Sequence, residues 1–163
     1  MDAIVLFSHG SLLCGSGQAL TAHAERLRER EVAPIVEVGY LNYCTPEFSE
    51  AVDRCVGAGA NRILVTPYFL VPGYFVNVAL PKCIAAAREK HPGICFSVAA
   101  PIGYDDRLAD ALISSAEHAR DRMHWRDDLS IAPEFCRTNP ACPLYATLLC
   151  PNSPLQVHDG ANP

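Results

Sequence analysis

Charge is scarce in this sequence. Only 19% of its 163 residues are Asp, Glu, Lys or Arg, against 50% apolar residues, and the formal net charge is -5. Lysine and arginine form no block, which argues against nucleic acid as a partner. No apolar run approaches the roughly 20 residues of a membrane-spanning helix. The chain enters an apolar run almost at its first residue, leaving no room for a signal peptide, so we expect a cytoplasmic protein with no membrane partner. Eight cysteines are present, but no two stand in a compact C-x2-C pair. Without a secretory signal, a disulfide framework is the weaker reading of them. What remains is the composition of a folded domain able to build its own core.

Four apolar runs do stand out: Ala3–Phe7, Ile35–Leu41, Arg62–Tyr68 and Cys95–Ala99. Each has the length and β-branched content of a buried strand. The segments between them are helical in period. Phe48, Ala51, Val52, Cys55 and Val56 fall on one helix face. Leu20, Ala24 and Leu27 mark an earlier helix, and Leu80, Ile84 and Ala87 a later one in which Pro81 must lie in the first turn. Leu108, Leu112, Ala116, Ala119 and Met123 predict a fourth. Gly57 and Gly59, then His91-Pro92-Gly93, supply the stops. Strand–helix alternation predicts an α/β fold, a three-layer doubly wound domain around a parallel sheet of about four strands in the order 2-1-3-4. The domain is expected over residues 1–124. From 125 to 163 proline rises and periodicity fades, which predicts an extended tail.

This topology gathers residues 8–17, 41–46, 68–77 and 100–105 on the rim where open α/β sheets hold their ligands. Ser8-His9-Gly10-Ser11 stands there directly after the first strand. A histidine at that point can ligate a metal or accept a proton; a histidine merely satisfied at a strand end is the plainer alternative. The third loop carries Tyr68, Phe69, Tyr74 and Phe75, and Tyr40, Tyr43 and Tyr104 fall near the same rim. Such a surface suits a flat apolar ligand, although some of these rings are expected only to cover the sheet end. Cys55, Cys83 and Cys95 sit in apolar patterns and read as buried thiols, and His23 as a partly exposed helix residue. Gly15-Ser16-Gly17 lacks both the third glycine of a dinucleotide fingerprint and a P-loop lysine. Cys136, Cys142 and Cys150 leave a tail metal site open, with spacing that does not specify one.

An ordered set of segments resembles the short CbiX/SirB-type sirohydrochlorin chelatases, a class II chelatase family. The set is VLFSHGS at the first strand, VEVGYLNYCTPEFSEAVDRCVGAGANRILVTPYFLVPGYFV through the middle, and AAPIGYDDRLADAL at the fourth strand and helix. The resemblance implies insertion of a divalent metal, Co²⁺ or Fe²⁺, into a sirohydrochlorin-type tetrapyrrole, with the metal (Ni²⁺ also being conceivable) as a substrate and no tightly bound cofactor. It implies a catalytic or metal-binding role for His9. Taken with the aromatic rim, the expected macrocycle seat is Ser11, Tyr43, Tyr68, Gly73, Tyr74, Phe75 and Tyr104. Longer family members fuse two such halves, so a one-half chain is expected to pair as a homodimer.

The sequence also departs from the family pattern. Phe75 stands where the family commonly has a second histidine, Asn42 and Ala79 where it has acidic residues, and Leu12-Leu13 where Arg-Asp often follows HGS. Two readings follow. One is a catalyst with an altered ligand set, His9 joined by a thiolate from Cys44 or, less readily, Cys14. For Cys44 an unligated loop thiol is the plainer alternative. The other reading is a relative that binds or delivers a tetrapyrrole or metal without inserting it.

Overall fold

The computed structural model describes residues 2–10 and 17–117. Their elements follow in the order β1 (Ala3–Ser8), α1 (Gln18–Glu29), β2 (Ile35–Tyr40), α2 (Phe48–Gly57), β3 (Arg62–Pro67), α3 (Leu80–Lys90), β4 (Cys95–Val98) and α4 (Asp106–Glu117), with a π-helical turn at Phe75–Ala79 leading into α3. The four strands are all parallel and lie in the order β2-β1-β3-β4, as the alternation of periods predicted. Ser11, Cys14 and the whole 125–163 segment, with Cys136, Cys142 and Cys150, lie outside the described residues.

Side-chain parity along β1 divides the core. Ala3, Val5 and Phe7 turn to one face, where Phe48, Ala51, Val52 and Cys55 of α2 and Leu80, Ile84 and Ala87 of α3 close over them. Ile4 and Leu6 turn to the other, against Leu20 and Ala24 of α1 and Val36 and Tyr40 of β2. Phe7, Leu20 and Leu80 are almost wholly buried. Each such side chain contributes about 1.5–3 kcal/mol by leaving water. Gly39 allows the upper layer to sit close: a Cβ there would meet Phe48 Cα at 3.0 Å and the Ala51 Cβ at 3.1 Å.

The helix boundaries follow local chemistry. At the start of α2, Glu47 and Glu50 form a reciprocal capping box that satisfies two orphan N–H groups. Pro81 lies in the first turn of α3, where its missing N–H costs nothing. His91 caps the other end, as expected of His-Pro-Gly.

Two expectations fail at the β4 end. Cys95 is exposed and Cys83 is only half-buried, whereas Cys55 is fully buried. β4 is a four-residue edge strand in which only Phe96 is buried, so the assumption of cover on both faces does not hold there. The apolar stripe of α4 is likewise present but has no buried residue, and Leu112 and Ile113 are exposed. No helix among the described residues is long and apolar enough to cross a membrane.

Candidate active site

The β1 ladder continues past its last strand residue and fixes His9. Leu41 N–H donates to Ser8 O at 2.9 Å and Asn42 N–H to His9 O at 3.1 Å, so the loop after β2 holds the backbone of the histidine from one side. On the other side, Tyr68 N–H donates to Phe7 O at 2.7 Å. Gly10 follows with φ +79°, and a Cβ there would lie 1.8 Å from Asn42 O. No other residue can follow His9 without moving the second loop, which gives the His-Gly pair a steric reason.

The His9 side chain is exposed and packed on rings. Its imidazole stacks on Phe75, with centroids 5.1 Å apart and planes at 18°, and lies 5.8 Å from Phe69. Phe69 and Phe75 stack at 5.8 Å. Below them Phe69 meets Phe7 at 6.0 Å, and Phe7 meets Phe48 edge-on at 5.5 Å. An unbroken aromatic column thus rises from the core to the histidine and limits where its imidazole can move.

The loop after β3 supplies this wall. Gly73 O accepts from Val76 N–H and Asn77 N–H, and the Asn77 amide reaches back to Pro72 O. These bonds close the start of the π-helical turn, a distortion common at functional sites, and set Phe75 against His9. Ile102 N–H and Gly103 N–H donate to Phe69 O and Leu70 O, binding the fourth rim loop to the third.

The remaining sequence-predicted residues divide. Tyr68, Tyr74, Tyr43 and Tyr104 are exposed on the rim loops. Tyr74 meets Phe75 edge-on at 5.8 Å. Tyr43 is held at φ +64°, a conformation that costs a non-glycine residue of order 1 kcal/mol. Tyr104 is 85% exposed and donates to Asp106 Oδ1 at 2.8 Å, so it belongs to the start of α4 rather than to the ring column. Space around Gly73 is open, and no close approach demands a glycine there. Tyr40 is buried, donating to Gly17 O at 2.9 Å and tying the start of α1 to β2. Its phenol is pushed above its ordinary pKa by burial.

Cys44 is half-buried and packs against the α1-side cluster, whereas the rings stacked on His9 belong to the column on the α2/α3 side. Among the described residues no three His, Cys, Asp or Glu side chains gather as a metal site. Phe69, one of the third-loop rings singled out in the sequence, is the central ring of the column. One participant was not legible in the sequence. His23, on α1, lies with Nε2 3.3 Å from the Tyr68 hydroxyl and its ring 5.2 Å from the phenol. These partners are separated by 45 positions in the chain, and no local pattern announces them.

A separate cleft of about 240 Å³ runs between α2 and α3, lined in part by Phe48, Val52, Cys83 and Ala87. Neither His9, Phe69 nor Phe75 lines it. The basic residues cluster at the opposite rim, in the last turns of α1, α2 and α3 and at the start of β3. They are already engaged: Arg26 with Glu29, Arg54 with Glu37, Arg62 with Asp2 and Lys90 with Asp53. Near His9's rim, Arg107 is held by Asp105, and this pairing lowers the Asp105 carboxyl to about 2.

The family model of CbiX matches residues 3–119. A sirohydrochlorin cobaltochelatase of Methanocaldococcus jannaschii is 30% identical over 140 residues, covering 71% of this chain and 98% of that protein. A chloroplastic sirohydrochlorin ferrochelatase of Arabidopsis thaliana is 28% identical over 144 residues, and there the match takes in 88% of this chain but 63% of the relative's length. The crystal structure of the sirohydrochlorin chelatase SirB from Bacillus subtilis subspecies spizizenii, in complex with cobalt, superposes with a TM-score of 0.67 at 27% identity, covering 86% of this chain and 64% of that one. Family match, sheet order and the histidine at the end of the first strand agree: the chain belongs to the CbiX family.

Proposed function

We propose that this chain inserts a divalent metal, Co²⁺ or Fe²⁺, into a sirohydrochlorin-type tetrapyrrole. The observation that carries the reading is the exposed His9 imidazole, fixed by its own backbone at the sheet's carboxyl end and stacked on Phe75. The reaction exchanges two pyrrole N–H protons for one M²⁺. An imidazole beside the macrocycle can accept a departing proton or hold the incoming ion while it sheds water. Phe69, Phe75 and Tyr74 offer the flat apolar seat that such a ring needs. His9 is the assigned base or ligand. Cys44 packs with the α1-side layer and takes no part in the proposal. The names of the similar proteins support both the macrocycle and the metal pair. Tyr43, Tyr68, Tyr74 and Phe75 are proposed as its seat, and the functional unit as a homodimer whose rims bound a shared cleft.

The experiment mixes purified protein with sirohydrochlorin and adds Co²⁺, Fe²⁺ or Ni²⁺, following absorbance against the spontaneous rate. Turnover is expected, and His9→Ala is expected to abolish it. Unchanged rates in that variant remove His9 from the mechanism. A stoichiometric spectral shift without turnover in the unaltered protein identifies a binder instead, the reading that the loss of a second imidazole at position 75 would favour.

A further inference from the structure

We propose that His23 and Tyr68 together receive a peripheral carboxylate of the macrocycle; this rests on the tetrapyrrole reading above. Tyr68 and Phe69 are consecutive and turn to opposite sides of the rim. Phe69 packs on His9, and Tyr68 packs on His23. Two successive residues therefore link the two imidazoles, with His9 on the α2/α3 side and His23 on α1. Tyr68 thus adjoins the Phe69–Phe75 stack that would seat the ring, with its hydroxyl at His23.

The pair has the chemistry of a carboxylate receptor. Both side chains are exposed, and the 3.3 Å separation of Tyr68 Oη from His23 Nε2 brings two polar groups to one point. When their mutual hydrogen bond gives way to an arriving carboxylate, the phenol O–H and the imidazole N–H can both donate to it, and such bonds are the stronger kind. The macrocycle is a polyanion, and the described residues offer it little else. Arg26, Arg54, Arg62 and Lys90 at the far rim are spent on internal partners, and Arg107 is held by Asp105. Lys82 is the other cation at this rim, on the first turn of α3. On the α1 side, His23 is the residue near the rim able to carry positive charge. Tyr68 is also placed rigidly, since its N–H donates to Phe7 O inside the ladder.

The test is equilibrium binding of sirohydrochlorin to the metal-free protein, read from the macrocycle's own absorbance, together with steady-state insertion of Co²⁺. His23→Gln and Tyr68→Phe are each expected to weaken binding and raise KM by roughly ten-fold, as loss of a hydrogen bond to a charged group does. The saturated rate should change by less than about two-fold, because neither residue meets the reacting nitrogens. The double variant should fall short of the product of the two single effects, since both act on one carboxylate. The fully esterified macrocycle, which keeps the ring and loses the charges, should bind unaltered protein and both variants alike. Binding within two-fold of the unaltered protein in both single variants overturns the proposal. So does an equal loss with the ester, which would make the contact one to the ring. Failure of the unaltered protein to insert metal while the His23 effect persists sinks the enzymatic reading and leaves this one standing; no macrocycle binding at all sinks both.

Discussion

Phe75 and His9 share one ring stack, and that contact defines what this site can do with a metal. At 5.1 Å between centroids, a second imidazole at position 75 would stand beside the first. Nitrogen donors at such spacing can close on one Co²⁺ ion, whereas a single imidazole is a weak ligand for it. Phe75→His is therefore expected to raise Co²⁺ affinity in the absence of macrocycle by at least about ten-fold, one added ligand's worth, and to raise insertion rates at low metal concentration. Calorimetric titration with Co²⁺ and the absorbance assay check both. A collapse in tetrapyrrole affinity would show instead that the ring at 75 serves as a stacking wall. At this scale the sequence was informative where chemistry is local. His9 was legible because a glycine follows it at the end of an apolar run, and the position of Phe75 because Gly73 and Val76 frame it. His23 was not, because its partner comes from a distant loop and is met only after β1 and β3 pair. The layer of Cys44 was also hidden, since side-chain parity has no meaning in the irregular loop between β2 and α2.

Among the elements, α2 and α3 are joined outside the core by one carboxylate. Asp53 on α2 accepts from Lys90 Nζ at 2.6 Å and meets His91 Nε2 at 2.7 Å, both at the end of α3. The Lys90 hydrogen bond, then that of His91, holds the Asp53 carboxyl below its ordinary pKa. A folded-state pKa below the unfolded value means that the unfolded chain binds the proton more tightly. The stabilisation is thus fully present above the unfolded aspartate pKa of about 3.9 and is lost as pH falls through the lower folded value. Asp53 is partly exposed, so solvent screening keeps the whole effect below about 1 kcal/mol. Asp53→Asn should lower the thermal midpoint by a few degrees at pH 7, and the gap from the unaltered protein should close below about pH 4. A gap constant from pH 7 to pH 3 would assign the loss to packing. The elements themselves were largely legible, because period 2 or a short apolar run against period 3.6 separates strand from helix before any contact is known. The π-helical turn was read as loop, since the bond that widens it, Leu80 N–H to Phe75 O five residues back, answers to no residue pattern. The exposure of Cys95 and of the α4 stripe was missed because an apolar pattern reports what a segment can bury, and β4 lies at an edge where less is there to cover it.

For the molecule as a whole, the two ends of the sheet differ in character. The basic end is internally paired, and the end that carries His9 is apolar, with Leu70, Val71 and Tyr74 exposed on one loop and Ile102 on the next. Contiguous exposed apolar side chains of this kind mark ligand or protein contacts. The match spans 98% of the Methanocaldococcus jannaschii cobaltochelatase but 63% of the Arabidopsis thaliana ferrochelatase. The matched part of the chain thus corresponds to nearly the whole of one relative and to part of a longer one. A second copy set rim to rim would enclose the macrocycle between two aromatic walls and take Val71, 69% exposed, out of water. Sedimentation equilibrium should then give twice the chain mass of 17.7 kDa. Val71→Glu, which puts a charge on that rim, should shift the protein toward monomer and lower insertion activity in a manner that recovers as protein concentration rises. Leu112→Glu, on the exposed stripe of α4, should change neither. If Leu112→Glu dissociates the dimer and Val71→Glu does not, the copies meet through α4 and each rim works alone; a fully active monomer removes the shared cleft from the mechanism.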